Sequence, residues 1–379
     1  MPDSSSPPQP ARLARVRDAM HVDTLEALVV THLPNVRYLT AFSGSAGVVV
    51  VAPARCYLVA DFRYAAGVRS MLASHPALGE AVTQVVPEQS YDETLVEILR
   101  QLGVRRIGIE AASMSVSRFN RLSAELAATT APPLHLPESC PVLVPTERVV
   151  ERLRTVKDSR EVAILREAAR RLSAVARDVP ELVEPGRTEI EIAGDIDRLL
   201  RTAGFERPAF ETIVASGPNS ALPHARPGRR AVARDDGVVL DFGGVYDGYC
   251  VDLTRTVELG RGVPEFRRIF DAVAEAQAAA IAAVRPGVLA SQVDAAARQV
   301  LERHGLSAAF GHGTGHGLGL EVHEEPRIGR VAAGHPDVAL EPGMVFTVEP
   351  GAYLEGFAGV RIEDDVLVTD GGCEVLTRQ

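Results

Sequence analysis

Apolar and polar positions change rhythm several times along the chain. ARLARVRDAM (11–20) spaces Leu13, Val16 and Met20 among arginines and predicts a short basic helix. Apolar, β-branched runs follow. Leu25–Thr31, Val48–Val51 and Cys56–Ala60 read as strands, with Ala52–Arg55 between the last two as a hairpin signal. Tyr64–Ser74 reads as a helix, Val82–Val86 as a strand, Tyr91–Leu102 as a helix stopped by Gly103, Arg106–Glu110 as a strand and Ser117–Ala128 as a helix. Strands alternating with helices predict an α/β layer domain over residues 11–145. Pro132, Pro133, Pro137, Pro141 and Pro145 mark loops at its end.

A different pattern fills 150–379. Asp158 with Glu161 forms a capping box and opens a helix to about Arg177. Thr188 with Glu191 forms a second, whose helix ends before Gly204. Pro264–Val284 is a helix with proline in its first turn, closed by Arg285-Pro286-Gly287, and Ser291–His304 is another with Gly305 at its C-cap. Gly237–Phe242, Tyr249–Leu259, Met344–Pro350 and Gly359–Thr369 read as strands. This half is therefore α+β.

The formal net charge of −10 argues against a nucleic-acid partner, and no basic stripe offsets it. Cys56, Cys140, Cys250 and Cys373 are scattered without a CxxC pair, which suits a reducing cytoplasm. Met1–Pro10 is polar and proline-rich and lacks the basic start and apolar core of a secretory signal, so it reads as a disordered tail. No apolar run reaches the roughly 20 residues that span a membrane.

Candidate chemistry sits in the second half. FGHGTGHGLGLEVHEE (310–325) holds His312, His316 and His323, three of the ten histidines, among repeated glycines. Neutral imidazole is a metal ligand and an acid–base group. Four acids lie inside apolar strands: Asp241 in VVLDFGG, Asp252 in YCVDLTRTVEL, Glu349 in MVFTVEPG and Glu363 in GVRIEDDVLV. With a four-residue loop Val245–Gly248, Asp241 and Asp252 fall opposite each other on antiparallel strands, with Cβ atoms roughly 5 Å apart. Glu349 and Glu363 are centred in the same way on Gly356. Buried carboxylates without countercharge are costly; no Lys or Arg is patterned to match all four, and Arg361 is the nearest. Two divalent cations would neutralise all four, with His316 completing an oxygen-rich set that suits manganese, cobalt, iron or zinc.

LDFGGVYDGYCVDLTRT, FGHGTGHGLGLEVHEEP, LEPGMVFTVEPGAY and GVRIEDDVLV together resemble the metallopeptidase family with the pita-bread fold. That family includes methionine aminopeptidase, Xaa-Pro aminopeptidase, Xaa-Pro dipeptidase and creatinase. The resemblance covers about residues 150–379. NVRYLTAFSGSAG and the strand–helix pattern of the first half resemble the N-terminal domain of the proline-specific members.

The resemblance implies that Asp241 binds one metal, that Asp252 and Glu363 bridge two, and that His316 and Glu349 hold the second. It implies that His224, in SGPNSALPHARP, contacts substrate, that His323 stabilises the transition state and that Glu349 moves the proton. His312 and Arg361 support the ligands, and Arg327 is a candidate partner for a substrate carboxylate. The implied protein is a dinuclear exopeptidase cleaving between an N-terminal residue and proline, as a dipeptidase or an aminopeptidase. The other reading is a non-catalytic pita-bread peptide-binding module, against which the full ligand set counts. Two divalent ions (manganese ahead of cobalt or zinc), X-Pro peptides as substrates, a homodimer and a cytoplasmic setting complete the expectation. Asn35–Gly47, rich in Ser, Thr and Gly, reads as a loop that limits substrate length.

Overall fold

The computed structural model describes residues 8–128, 141–331 and 336–378. Residues 1–7 of the expected tail, and the prolines of 131–140, lie outside the described residues. The chain divides into two compact units, Met1–Arg154 and Thr155–Gln379.

In the first unit the strands are β1 (Ala27–Val30), β2 (Val48–Val51), β3 (Cys56–Val59), β4 (Val82–Val85), β5 (Arg106–Glu110) and β6 (Val142–Thr146). They form one sheet in the order β4-β3-β2-β1-β5-β6. β2 runs antiparallel to both neighbours, and the β3–β4, β1–β5 and β5–β6 pairs are parallel. Helices α1 (Gln9–Val22), α2 (Leu33–Thr40), α3 (Phe62–Ser74), α4 (Pro76–Ala81), α5 (Tyr91–Leu102), α6 (Val116–Ala128) and α7 (Val149–Thr155) flank it or follow it. β1 and β2 are buried along their whole length, as expected of strands covered on both faces.

Three readings are corrected here. α1 begins at Gln9, so helix starts inside the expected tail. Leu33–Thr40 is helix α2 and not part of a loop; Ala41 closes it with a left-handed φ of 61°. Its N-terminus is built by Glu110, which accepts the Thr31 and His32 N–H groups at 2.6 and 2.7 Å. That carboxylate is remote in sequence, so no local cap signals the helix. Val142–Thr146 with Pro145 is a strand, not a loop. Among the described residues it pairs only with β5, at the sheet edge, where a proline is tolerated.

The second unit opens with α8 (Ser159–Asp178) and α9 (Glu189–Thr202), each started by the expected capping box. β7 (Arg207–Pro208), β8 (Ile213–Ser216), β9 (Gly237–Tyr246) and β10 (Tyr249–Glu258) form its first sheet. α10 (Pro264–Ala283) and α11 (Ala290–Arg303) follow. β11 (Gly315–Gly317), β12 (Glu324–Ile328), β13 (Val345–Val348), β16 (Asp364–Thr369) and β17 (Gly372–Val375) form a second sheet, and β14 (Gly351–Leu354) pairs with β15 (Ala358–Arg361). One hydrophobic core lies between α10 and α11 and the strands β13 and β16, with Ile269, Val273, Val293, Ala297, Phe346 and Val366 buried.

The two helix pairs repeat one design. Each joint uses a Pro-Gly with a left-handed glycine, Gly186 at φ 95° and Gly287 at φ 81°. Gly186 N–H donates to Val232 O at 2.9 Å, and Gly287 N–H to Leu340 O at 2.8 Å. An isolated bridge follows in each, Thr188 with Ala231 and Leu289 with Ala339.

Candidate metal centre

β9 and β10 turn at Asp247 and Gly248, with φ of 45° and 78°. Two left-handed residues in a two-residue hairpin loop make a type I′ turn, for which Asp-Gly is a preferred pair. The expected four-residue loop is therefore corrected. Asp241 pairs with Thr254, and Asp252 pairs with Gly243. The two aspartates are diagonal neighbours, and because the offset is two residues they still share a face.

Glu349 and Glu363 sit where a hairpin is interrupted on both strands. Val348 pairs with Asp364 on one side and Gly351 with Arg361 on the other, in a single continuing register. Between them Pro350 has no N–H to give. Glu349 N–H donates instead to Thr314 O at 2.7 Å, and Glu363 N–H to Thr254 O at 3.1 Å. The gap thus ties both acids to neighbouring chain segments.

Asp252, His316 and Glu363 bring one ligand atom each to within 4.8 Å of one another. His316 Nε2 lies 3.4 Å from Glu349 Oε1. His316 Nδ1 is 3.1 Å from Gly317 O. A carbonyl only accepts, so that nitrogen carries the hydrogen and Nε2 keeps its lone pair. Asp241 joins through Arg361, whose Nη2 donates to Asp241 Oδ2 at 2.5 Å. Arg361 Nε donates to Thr254 Oγ1 at 3.1 Å, and Thr254 donates to Glu363 Oε2 at 2.6 Å.

Burial, followed by repulsion from Glu363 and Asp241, pushes the Asp252 carboxyl well above its usual range. Burial and then Glu349 do the same to Glu363. Burial raises Glu349 to about 7, against the opposing pull of Arg361. Burial lowers His316 to about 4, with His323 adding to the effect. Asp241 Oδ1 and Asp252 Oδ1 are buried and make no hydrogen bond. Carboxylate oxygens left unpaired beside further acids and a lone-pair nitrogen fit divalent cations.

His323 meets His316 edge-on, with ring centroids 4.3 Å apart and an interplanar angle of 61°. The residue is exposed overall, and its pKa is lowered by partial burial and then by Arg327. His224 is exposed in a turn whose Pro223 carbonyl accepts from Arg361 Nη1 at 3.2 Å. Arg327 is exposed and pairs with His316 across β11 and β12.

His312 stands two hydrogen bonds beyond Arg361, through Tyr353. Its Nδ1 is 2.7 Å from Gly313 O and its Nε2 3.0 Å from Tyr353 Oη. Burial lowers its pKa to about 4, so the ring is neutral at pH 7. Nδ1 then donates to the carbonyl, and Tyr353 donates to Nε2 while accepting from Arg361 Nη1 at 2.9 Å. The sequence reading did not name Tyr353 or Thr254. Thr254 was within reach, since it lies two residues beyond Asp252 and so on the same strand face.

Two buried acids hold the loops that carry the histidines. Glu189 accepts from Ser216 N at 2.8 Å, Asn219 Nδ2 at 3.0 Å and Gly228 N at 3.1 Å, bracketing the segment with His224. Asp294 accepts from Thr314 N at 3.1 Å and Thr314 Oγ1 at 2.8 Å, and Arg298, its ion-pair partner, donates to His312 O at 2.5 Å. Asp365 is fully buried and accepts from Asp252 N–H at 3.1 Å.

Residues 163–370 match the model of metallopeptidase family M24, and residues 12–156 that of the Creatinase/Prolidase N-terminal domain. An uncharacterised peptidase of Bacillus subtilis is 34% identical over 97% of this chain and 97% of its own. The solved Xaa-Pro dipeptidase from Bacillus anthracis superposes with a TM-score of 0.88 at 33% identity, covering 98% of each chain. The X-Pro aminopeptidase from Thermotoga maritima gives 0.82 at 31% identity, covering 96% of this chain and 98% of that one.

Proposed function

This chain belongs to metallopeptidase family M24, and on that footing we propose that it hydrolyses the imide bond between an N-terminal residue and a following proline. The named relatives supply the substrate class, and both dipeptidase and aminopeptidase are represented among them. The observation that carries the reading is the pair of buried, unpartnered oxygens, Asp241 Oδ1 and Asp252 Oδ1, beside His316, Glu349 and Glu363.

Asp241 would hold one divalent ion, Asp252 and Glu363 two in common, and His316 and Glu349 the second, with manganese ahead of cobalt or zinc. Such ions, when bound, lower the pKa of water and polarise a carbonyl. Glu349 is placed to take the proton of the attacking water and pass it to the leaving nitrogen. A prolyl nitrogen departs as a secondary amine and needs that proton. His323, edge-on against His316, donates to the oxygen that gains charge, and His224 holds the substrate from its turn. Arg361 and the neutral His312–Tyr353 pair keep the carboxylates oriented. Arg327 is the cation available to a substrate carboxylate in the dipeptidase form. The proposed setting is the reducing cytoplasm, which the scattered cysteines suit, and the proposed assembly a homodimer. No helix among the described residues is long and apolar enough to cross a membrane.

The test compares rates on X-Pro dipeptides, X-Pro-Y tripeptides and X-Ala controls, using stripped protein with manganese, cobalt or zinc restored. Preference for proline with metal-dependent turnover supports the reading. Full turnover in protein shown by elemental analysis to be metal-free sinks it.

A further inference from the structure

The Lys157 side chain is 1% exposed, and its Nζ lies 3.3 Å from Glu324 Oε2, on a side chain 6% exposed. Burying both charges is expensive unless their geometry is kept. Neither has a place in the chemistry above. The lysine is anchored by its backbone: Val156 bridges Met344, and Lys157 N–H donates to Gly343 O at 2.9 Å.

Glu324 directly follows His323 and opens β12. Across the ladder it pairs with Gly317, the neighbour of His316, after a register shift. Its other oxygen, Oε1, accepts from Glu321 N–H at 3.1 Å. Gly319 lies beneath the carboxylate, where an added Cβ would come within 2.8 Å of both oxygens. Gly319 N–H donates to Glu321 O at 3.0 Å, and its carbonyl accepts from Cys250 N–H at 2.6 Å. The Glu324 carboxylate thus closes the base of the turn from Gly317 to Glu324, and the buried Lys157 ammonium lies against it. His323 occupies the last position of the turn.

We infer that Lys157 is a positioning residue for His323, acting through Glu324 to fix the turn from which the imidazole reaches the substrate. Without the ammonium, the buried Glu324 carboxylate loses a compensating charge. It then takes up a proton or turns toward water, and the Glu321 bond that shapes the turn is weakened. The inference rests on His323 being the transition-state donor proposed above.

The experiment is a double-mutant cycle on the metal-loaded, full-length protein, with Lys157→Met made alone and in a His323→Ala background. kcat, KM, metal content per chain and Tm are measured. Lys157→Met alone is expected to lower kcat about 10–100-fold, with KM within about threefold, because a displaced donor costs rate and not ground-state binding. Metal content should match the parent. In the His323→Ala background the further loss should stay below about threefold, since two residues acting as a unit are not additive. If Lys157→Met does not fold, the neutral pair Lys157→Met/Glu324→Gln removes the stranded charge and goes through the same cycle. Equal fold-losses in both backgrounds, or loss of metal, overturns the inference and leaves the donor reading standing. An unimpaired His323→Ala overturns both.

Discussion

Arg361 and Asp241 divide one carboxylate between two tasks. Arg361 Nη2 takes Oδ2 at 2.5 Å, and Oδ1 remains buried without a hydrogen bond. The same guanidinium also reaches Thr254, Tyr353 and Pro223 O. A planar fork can serve these partners together, and an ammonium cannot.

Arg361→Lys keeps the charge and loses the fork. Metal affinity or kcat should fall about 10–100-fold, as for other partners that orient ligands. Titration of stripped protein with manganese, read by calorimetry, checks this. Unchanged affinity and turnover would show that the bonds to Thr254 and Tyr353 are dispensable.

Asp252→Asn removes a charge that the two-ion reading shares between both cations. The fold should survive, because burial strains the ionised aspartate in the stripped chain. Metal stoichiometry should drop, and kcat should fall by more than the ~10–100-fold expected of orienting partners. Two ions per chain with near-normal turnover would be fatal to the bridging role.

His323→Ala should keep its metals and lose on the order of 10²–10³ in kcat, the usual effect of removing one donor to a developing oxyanion. Elemental analysis alongside kinetics separates the possibilities. Loss of an ion would make His323 a ligand.

Stripped protein should weaken as pH rises. Burial first, and then neighbouring charge, raises Asp252 and Glu363, and Glu349 reaches about 7. An acid whose pKa is higher folded than unfolded holds more protons when folded, so stability falls as pH climbs through that interval. The interval runs from an unperturbed glutamate at about 4.3 to Glu349 at about 7. Cations bound to the carboxylates remove the effect. The Tm difference between loaded and stripped protein should therefore widen across this range, and a constant difference would contradict the account.

Much of this was legible in the residues, and the exceptions have physical causes. Capping boxes at Asp158 and Thr188 are local, and their helices begin where expected. Asp247-Gly248 was read as part of a longer loop, although the pair alone suffices for a type I′ turn. The resulting error of two residues left the face of Asp241 and Asp252 intact. The break at Glu349 and Glu363 was invisible except for Pro350, because apolar alternation continues through it. The α2 helix was missed because no side chain caps it locally, and the Glu110 carboxylate that holds the residues entering it comes from β5. Tyr353 acquires its role only through His312 and Arg361, neither of which marks it in sequence.

The repeated helix pairs have an engineering consequence. The two halves of the second unit are joined after β10 by Gly260, Arg261 and Gly262, where both glycines are left-handed and Arg261 is exposed. Asp241 and Asp252 lie before that joint, and His316, Glu349 and Glu363 after it. Across the seam run Arg361 to Asp241, Thr254 to Glu363 and Thr256 Oγ1 to Arg361 O, the last at 2.8 Å. A chain severed at Arg261 yields two pieces, each with only part of the proposed ligand set. Their recombination alone rebuilds the centre, so peptidase turnover would serve as a split-enzyme reporter of two tethered proteins meeting.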